Sequence, residues 1–163
     1  AAAKTGLPVA ATMSFDTAGK TMMGVSPTEF VGFMKTQPVV AYGANCGVGP
    51  DVLLQTIGEM KWAGGENLIA KGNCGIPVFR DGAIRYTGTE AVMANYACEA
   101  RNLGAKLIGG CCGTTGGHVK AMSSELQVRP YMPEVLELDA LASSAQAQPA
   151  RSMRPRRRRS NRE

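Results

Sequence analysis

No apolar stretch in these 163 residues reaches the roughly 18 residues that a membrane-spanning helix requires. That excludes a helical membrane protein, and no membrane partner is expected. No secretory signal is visible either. The glycine-rich turns lack a Gly-x-Gly-x-x-Gly pattern between strand and helix, and no Walker lysine motif occurs, so nothing points to a dinucleotide or a nucleoside triphosphate. Histidine is nearly absent: His118 stands alone, one turn into the last expected helix, where a capping or surface role suits it better than a metal. Positive charge is also scarce along most of the chain. The net charge is +5, but residues 149–163 hold seven arginines against Glu163 and contribute +6; residues 1–148 hold 11 Lys+Arg against 12 Asp+Glu, about −1. The basicity is a terminal tail rather than a binding face. A disordered solubilising end is the expectation for it, and no nucleic-acid partner is expected.

What the chain does have is cysteine: Cys46, Cys74, Cys98, Cys111 and Cys112. An odd count without a secretory signal argues against a disulfide scaffold and for a reducing cytoplasm. Cys111 and Cys112 also bridge poorly with each other, because a disulfide needs a wider Cα separation than one peptide unit provides. Cys98 falls mid-helix among apolar residues and reads as packing; Cys74 is expected to pack as well.

Short apolar runs alternate with glycine or polar turns and helical segments. Leu7–Phe15 reads as a strand. Ser26-Pro27-Thr28-Glu29 opens a helix, with Ser26 as cap and Pro27 at its first position. Strands are expected at Pro38–Ala41, Asn67–Lys71 and Ala105–Gly110. Helices are expected at Pro50–Trp62, from Glu90 to about Leu103, and from about Thr115 to Leu126. Four successive βα units imply parallel strands with right-handed crossovers. An eight-unit barrel needs roughly 250 residues, so the expected fold is the C-terminal half of a (β/α)₈ barrel over residues 1–130, followed by a linker and an arginine-rich tail over 131–163. A small doubly wound sheet is the alternative.

Two glycine turns follow expected strands: Gly43-Ala44-Asn45-Cys46-Gly47 and Gly109-Gly110-Cys111-Cys112-Gly113. Catalytic side chains of a barrel project from the C-terminal ends of its strands. Three thiolates gathered there suit a zinc ion with its fourth position open. Such a site carries a net negative charge, activates water poorly, and holds a fourth thiolate well. The chemistry it suggests is alkylation of sulfur. Between the two turns, Gly72-Asn73-Cys74-Gly75 ends the third strand. Asn73 is the candidate for contact with substrate, and Asn45 for orienting Cys46 from outside the ligand set. Tyr42, Trp62 and Tyr86 have no spacing that supports an aromatic cage.

At these residues the chain resembles the homocysteine S-methyltransferase family, and within it most closely the bacterial betaine–homocysteine enzymes. The resemblance runs through Met13-Ser14-Phe15-Asp16-Thr17-Ala18-Gly19-Lys20-Thr21-Met22-Met23-Gly24, Asn45-Cys46, Lys71-Gly72-Asn73-Cys74-Gly75-Ile76-Pro77, Gly109-Gly110-Cys111-Cys112-Gly113 and His118-Val119-Lys120-Ala121-Met122, covering about residues 5–126. It implies a zinc-dependent barrel with Cys46, Cys111 and Cys112 on Zn²⁺, homocysteine as acceptor, betaine as the favoured methyl donor, and methionine as product. It also implies four further βα units that would carry the homocysteine amino-acid end and much of the donor site, so a missing N-terminal half-barrel is an expected partner and the fragment alone is expected to be inactive. S-methylmethionine or a methyl-cobalamin or folate system are alternative donors. A non-catalytic zinc-binding half-domain is the alternative from another class. Two departures stand out. Cys74 replaces a common Ala, and Thr115-Gly116-Gly117-His118 lacks the family's Pro and Glu, which should weaken that helix start by about 1 kcal/mol.

Overall fold

The computed structural model describes residues 2–16, 18–47 and 49–133. The expected arginine-rich tail lies outside the described residues from 134 onward. After a short 3₁₀ turn at Ala2–Thr5, the order is β1 (Ala10–Met13), α1 (Pro27–Met34), β2 (Ala41–Cys46), α2 (Pro50–Trp62), β3 (Leu68–Gly72), β4 (Pro77–Arg80), β5 (Ala83–Tyr86), α3 (Glu90–Asn102), β6 (Ala105–Gly110) and α4 (Gly116–Val128). Strands β1, β2, β3 and β6 form one parallel sheet in that order. Each strand lies beside its predecessor, with no reversal of order. A doubly wound sheet would need such a reversal; a barrel wall forbids it.

Local chemistry sets the helix starts. Ser26 and Glu29 form a reciprocal capping box ahead of α1: the Ser26 backbone N–H donates to Glu29 Oε2 at 2.8 Å and the Glu29 N–H to Ser26 Oγ at 3.3 Å. Pro50 opens α2, with Asp51 in its first turn and Lys61 in its last. Thr89 caps α3 by accepting from the Val92 N–H.

The helices cover one face of the sheet. Tyr42, Ala44, Leu68 and Ala70 meet Leu53, Ile57, Met60, Met93, Tyr96, Ala97 and Ala100 in a single buried cluster. Phe15, Phe30 and Tyr42 add two edge-to-face contacts, with ring centroids 5.7 and 6.1 Å apart. The opposite face is different. Thr12, Ile69, Lys71 and Leu107 line an open concavity of about 390 Å³, and Leu107 remains half-exposed. One covered and one uncovered face is the geometry of a barrel wall seen from inside.

Three elements depart from the sequence reading. The second strand is Ala41–Cys46 rather than Pro38–Ala41. Pairing with β1 on one side and β3 on the other holds this Gly- and Asn-containing segment extended, whereas Val40 is 55% exposed; context overrides propensity. The first strand is shorter than Leu7–Phe15. An antiparallel hairpin, β4–β5, also stands between β3 and α3. Its turn residues Asp81 and Gly82 have φ of 52° and 76°, the two left-handed positions of a tight hairpin, for which Asp-Gly is a strong signal.

Tyr96 ties the sheet to the helices at the upper end of β3. Its hydroxyl accepts from the Gly72 N–H at 2.9 Å and donates toward the Gly109 carbonyl at 3.4 Å. Burial pushes this phenol well above its usual range, so it remains a donor. Tyr96→Phe leaves a buried strand N–H without a partner. It should destabilise the chain by about 1–3 kcal/mol in urea unfolding; an unchanged midpoint would show that the hydroxyl contributes nothing.

Candidate metal centre

The register of the sheet decides where the thiols can go. Cys46, Gly72 and Gly110 are aligned across β2, β3 and β6. Adjacent strands lie about 4.8 Å apart, so Cys46 and the residue after Gly110 start two strands apart. Their sulfurs nevertheless meet: Cys46 Sγ lies 2.8 Å from Cys111 Sγ, and Cys111 Sγ lies 4.0 Å from Cys112 Sγ. All three sulfurs fall within 4.8 Å of one another. Cys46 bends inward because its backbone is left-handed, φ 58°, and Gly47 follows at φ 76°. A β-branched or bulky residue would resist this pair of dihedrals; Cys at φ 58° stores about 1 kcal/mol of strain.

The donor set fits a thiophilic metal. All five cysteines are free thiols, and 2.8 Å is far longer than the roughly 2.05 Å of a disulfide. A tetrahedral zinc holding thiolates at about 2.3 Å sets sulfurs about 3.8 Å apart. The Cys111–Cys112 separation matches, and the Cys46–Cys111 pair would open by about 1 Å. Without metal the cluster shares protons unequally. A hydrogen bond from the Cys111 thiol, helped by the Asn45 amide, draws Cys46 below the ordinary thiol range. Burial, then the neighbouring Cys46 sulfur, pushes Cys111 up to about 11.

Asn45 lies at the rim of β2. Its Nδ2 donates to Cys46 Sγ and to Ser14 Oγ, both at 3.3 Å. Asn73 sits between the two cysteine turns, 6% exposed. Its Oδ1 accepts from the Cys112 N–H at 3.1 Å, and its Nδ2 donates to the Gly47 carbonyl at 2.6 Å. Cys98 is fully buried in α3, away from the cluster. Cys74 is also buried; its Sγ meets the Gly88 carbonyl at 3.3 Å and His118 Nε2 at 3.1 Å.

One feature escapes a linear reading of the chain. Tyr86, at the end of the hairpin, lies so close over Gly113 that a β-carbon there would run into its ring. Burial, and the Cys112 sulfur that it faces, hold its phenol above the usual range. The Asp81-Gly82 turn was the signal that could have placed it. The start of α4 has His118 in the capping role expected of it. His118 Nδ1 accepts from the Thr115 N–H at 3.1 Å, taking the acceptor role that Glu fills in a capping box. Glu90 Oε1 lies over Gly117, so a carboxylate reaches the positive helix end from α3. Glu90 thus brings a negative charge to a first turn that has no acidic residue of its own.

With the geometry described, comparison with known proteins is decisive. The family model described as homocysteine S-methyltransferase matches residues 1–126. The chain belongs to the homocysteine S-methyltransferase family. It is 34% identical over 151 residues to betaine–homocysteine S-methyltransferase 1 of Rattus norvegicus, covering 81% of this chain and 37% of that protein. It is 32% identical over 154 residues to the S-methylmethionine–homocysteine S-methyltransferase of the same species, covering 81% and 41%. The chain thus spans well under half the length of the curated relatives it matches. Its fold matches the metallated homocysteine methyltransferase MmuM of Escherichia coli with a TM-score of 0.59 at 21% identity, over 76% of this chain and 37% of that one. The four parallel βα units are therefore part of the (β/α)₈ barrel of this family. No helix among the described residues is long and apolar enough to cross a membrane.

The unequal sharing of protons has a chemical signature. In the metal-free chain at pH 8, iodoacetamide should modify Cys46 several-fold faster than Cys111, since the thiolate is the nucleophile; peptide mass mapping that shows the reverse order would refute the assignment. The strain at Cys46 is separable from its chemistry. Cys46→Gly should exceed Cys46→Ala in metal-free stability by about 1 kcal/mol in chemical denaturation, and equal stabilities would mean that the left-handed backbone is unstrained.

Proposed function

We propose that this chain is the metal-binding half of a homocysteine S-methyltransferase, with zinc held by Cys46, Cys111 and Cys112. The observation that carries this reading is the convergence of three thiols, from two loops separated by a strand, within 4.8 Å of one another. Zinc bound there supplies a positive centre that keeps a fourth thiol deprotonated and in place at neutral pH.

The chain's own residues prepare the rest. Asn45 donates to the Cys46 sulfur and fixes its direction. Asn73 keeps one amide N–H and one oxygen lone pair beyond its two internal hydrogen bonds; those are what it offers homocysteine. Tyr86 and the bare Gly113 wall the cluster on the hairpin side. In the reaction, the homocysteine sulfur forms a bond to a methyl carbon while the bond from that carbon to its former heteroatom breaks, and the electron pair leaves with the donor. With betaine as donor the products are methionine and dimethylglycine. Relatives named for betaine and for S-methylmethionine match almost equally well, and betaine is favoured from the Ser14-Phe15-Asp16 to Met22-Met23-Gly24 stretch of the sequence. Free thiols set in pairs are kept reduced in a cytoplasmic setting, which is the proposed location.

The open inner face, with Ile69, Lys71 and Leu107 lining a concavity, supports a need for the complementary half-barrel. The second reading, a zinc-binding half-domain without catalysis, rests on the same face. Both give the same metal result. Cys46→Ala, Cys111→Ala and Cys112→Ala should each lose most zinc by elemental analysis, and Cys98→Ala none; full zinc occupancy in Cys111→Ala would overturn the ligand assignment. Assay of methionine formation separates the two readings. Turnover from homocysteine and betaine should appear only when the N-terminal half-barrel is supplied, because alignment of the two reactants provides much of the rate. Zinc binding without turnover in the assembled barrel would favour the half-domain.

A further inference from the structure

The cysteine turns belong to different strands, and nothing in β2 or β6 by itself fixes their separation. The segment between them does. At its upper end the β3–β6 ladder continues one step past the strands, with the Cys111 N–H donating to the Gly72 carbonyl at 2.8 Å and the Cys74 N–H to the Cys112 carbonyl at 2.9 Å. The Cys112 N–H falls between these two bonds, and the Asn73 side chain takes it. The other end of the same amide reaches the Gly47 carbonyl, one residue past Cys46. A planar group a few ångströms long thus touches both ligand loops at once, one hydrogen bond to each.

Asn73 is itself held from behind. The Gly88 N–H donates to the Cys74 carbonyl at 3.0 Å. The Cys74 sulfur packs on His118 Nε2, whose other ring nitrogen accepts from the Thr115 N–H at the head of α4. With Nδ1 accepting, Nε2 carries the proton of the neutral ring and points it at the sulfur. The turn that bears Asn73 is therefore tied to the loop ahead of α3 and to α4 independently of any metal.

We propose that Asn73 is the positioning residue of the metal centre, a strut whose amide fixes the spacing between the Cys46 loop and the Cys111–Cys112 loop. The inference rests on the proposed metal site but assigns a role that the ligands alone do not. Two chemical functions are needed in one side chain: an acceptor for Cys112 and a donor for Gly47. Alanine supplies neither. Aspartate keeps the acceptor and sets a carboxylate against the Gly47 carbonyl.

The test measures metal and backbone, with no turnover assay. The full chain and its Asn73→Ala and Asn73→Asp variants are titrated with Zn²⁺ and with Co²⁺, the latter read by its thiolate-to-metal absorption, and amide exchange is followed at Cys112 without metal. Asn73→Ala should bind zinc about 10–100-fold more weakly, show weaker cobalt–thiolate absorption, and lose protection at the Cys112 amide. Asn73→Asp should keep that protection, since its oxygen still accepts; this holds the test open if the alanine variant does not fold. Wild-type zinc affinity and cobalt spectrum in Asn73→Ala would overturn the strut while leaving the ligand assignment intact. Loss of Cys112 protection in a folded Asn73→Asp chain would overturn it equally. A wild-type chain that binds neither metal would sink the ligand assignment and the strut together.

Discussion

The structure turns on one constraint: two cysteine loops meet across a strand that lies between them. Parallel pairing in strict order puts β3 between β2 and β6, which separates the ends of the outer strands by about two interstrand spacings, near 9.6 Å. Sulfurs 2.8 Å apart require both loops to lean over the end of β3. On the Cys46 side this is done with backbone, through consecutive left-handed residues. On the Cys111 side it is done with hydrogen bonds that carry the ladder beyond its last paired residues. Gly72 and Asn73 lie beneath the crossing. Gly72 gives its outward side to the Tyr96 ring, and a β-carbon there would approach that ring to 3.2 Å. Asn73 gives its inward side to the loops. The small residue and the bifunctional one occupy adjacent places because the two faces of the strand make opposite demands.

Much of this was legible in the chain itself, for physical reasons. Glycines beside Cys46 and Cys111 signal turns at strand ends, and three thiols in such turns limit the chemistry to soft metals or redox work. Helix starts at Ser26 and Pro50 follow from local hydrogen bonding, which sequence records directly. Other features are non-local and leave no local trace. The span of β2 depends on both of its neighbours: Val39 and Val40 look like a strand but lie outside it, while Ala44 and Asn45 are held extended by pairing with Ala70 and Lys71. The two bonds of the Asn73 amide join residues 26 and 39 positions away, and no spacing rule announces them. The hairpin is another matter. Asp81-Gly82 between alternating residues is a local signal, and the run of βα units distracts from it.

The start of α4 shows how the same element can be built from different parts. A Pro and a Glu in the first turn would supply a fixed φ and a charge from within the helix. Here His118 supplies the acceptor and Glu90 supplies the charge from α3. His118 has a consequence for the site. A histidine in this place has a second nitrogen, and that nitrogen reaches Cys74 behind Asn73. Cys74 in place of the family's common Ala gives the imidazole something polar to meet. Cys74, one of the two departures from the family pattern, is thus in contact with the helix start that carries the other.

The position of the ligands also bears on folding. Cys46 ends β2, and Cys111 and Cys112 follow β6 on the other side of β3, so the three thiols are complete within one sector of the barrel wall. Closing loops 65 residues apart in sequence has an entropic cost that grows slowly with their separation. The sheet has already met it before any ion binds, and β3 supplies the contacts that hold the loops together. Metal held there as proposed would then add to the stability of the folded form, because a preformed site hardly exists in the unfolded chain. What it cannot do is cover Lys71 and Leu107 on the inner face. On the proposed function, thiol activation belongs to this sector, and enclosure of the reactants belongs to the complementary half-barrel that its open inner face calls for.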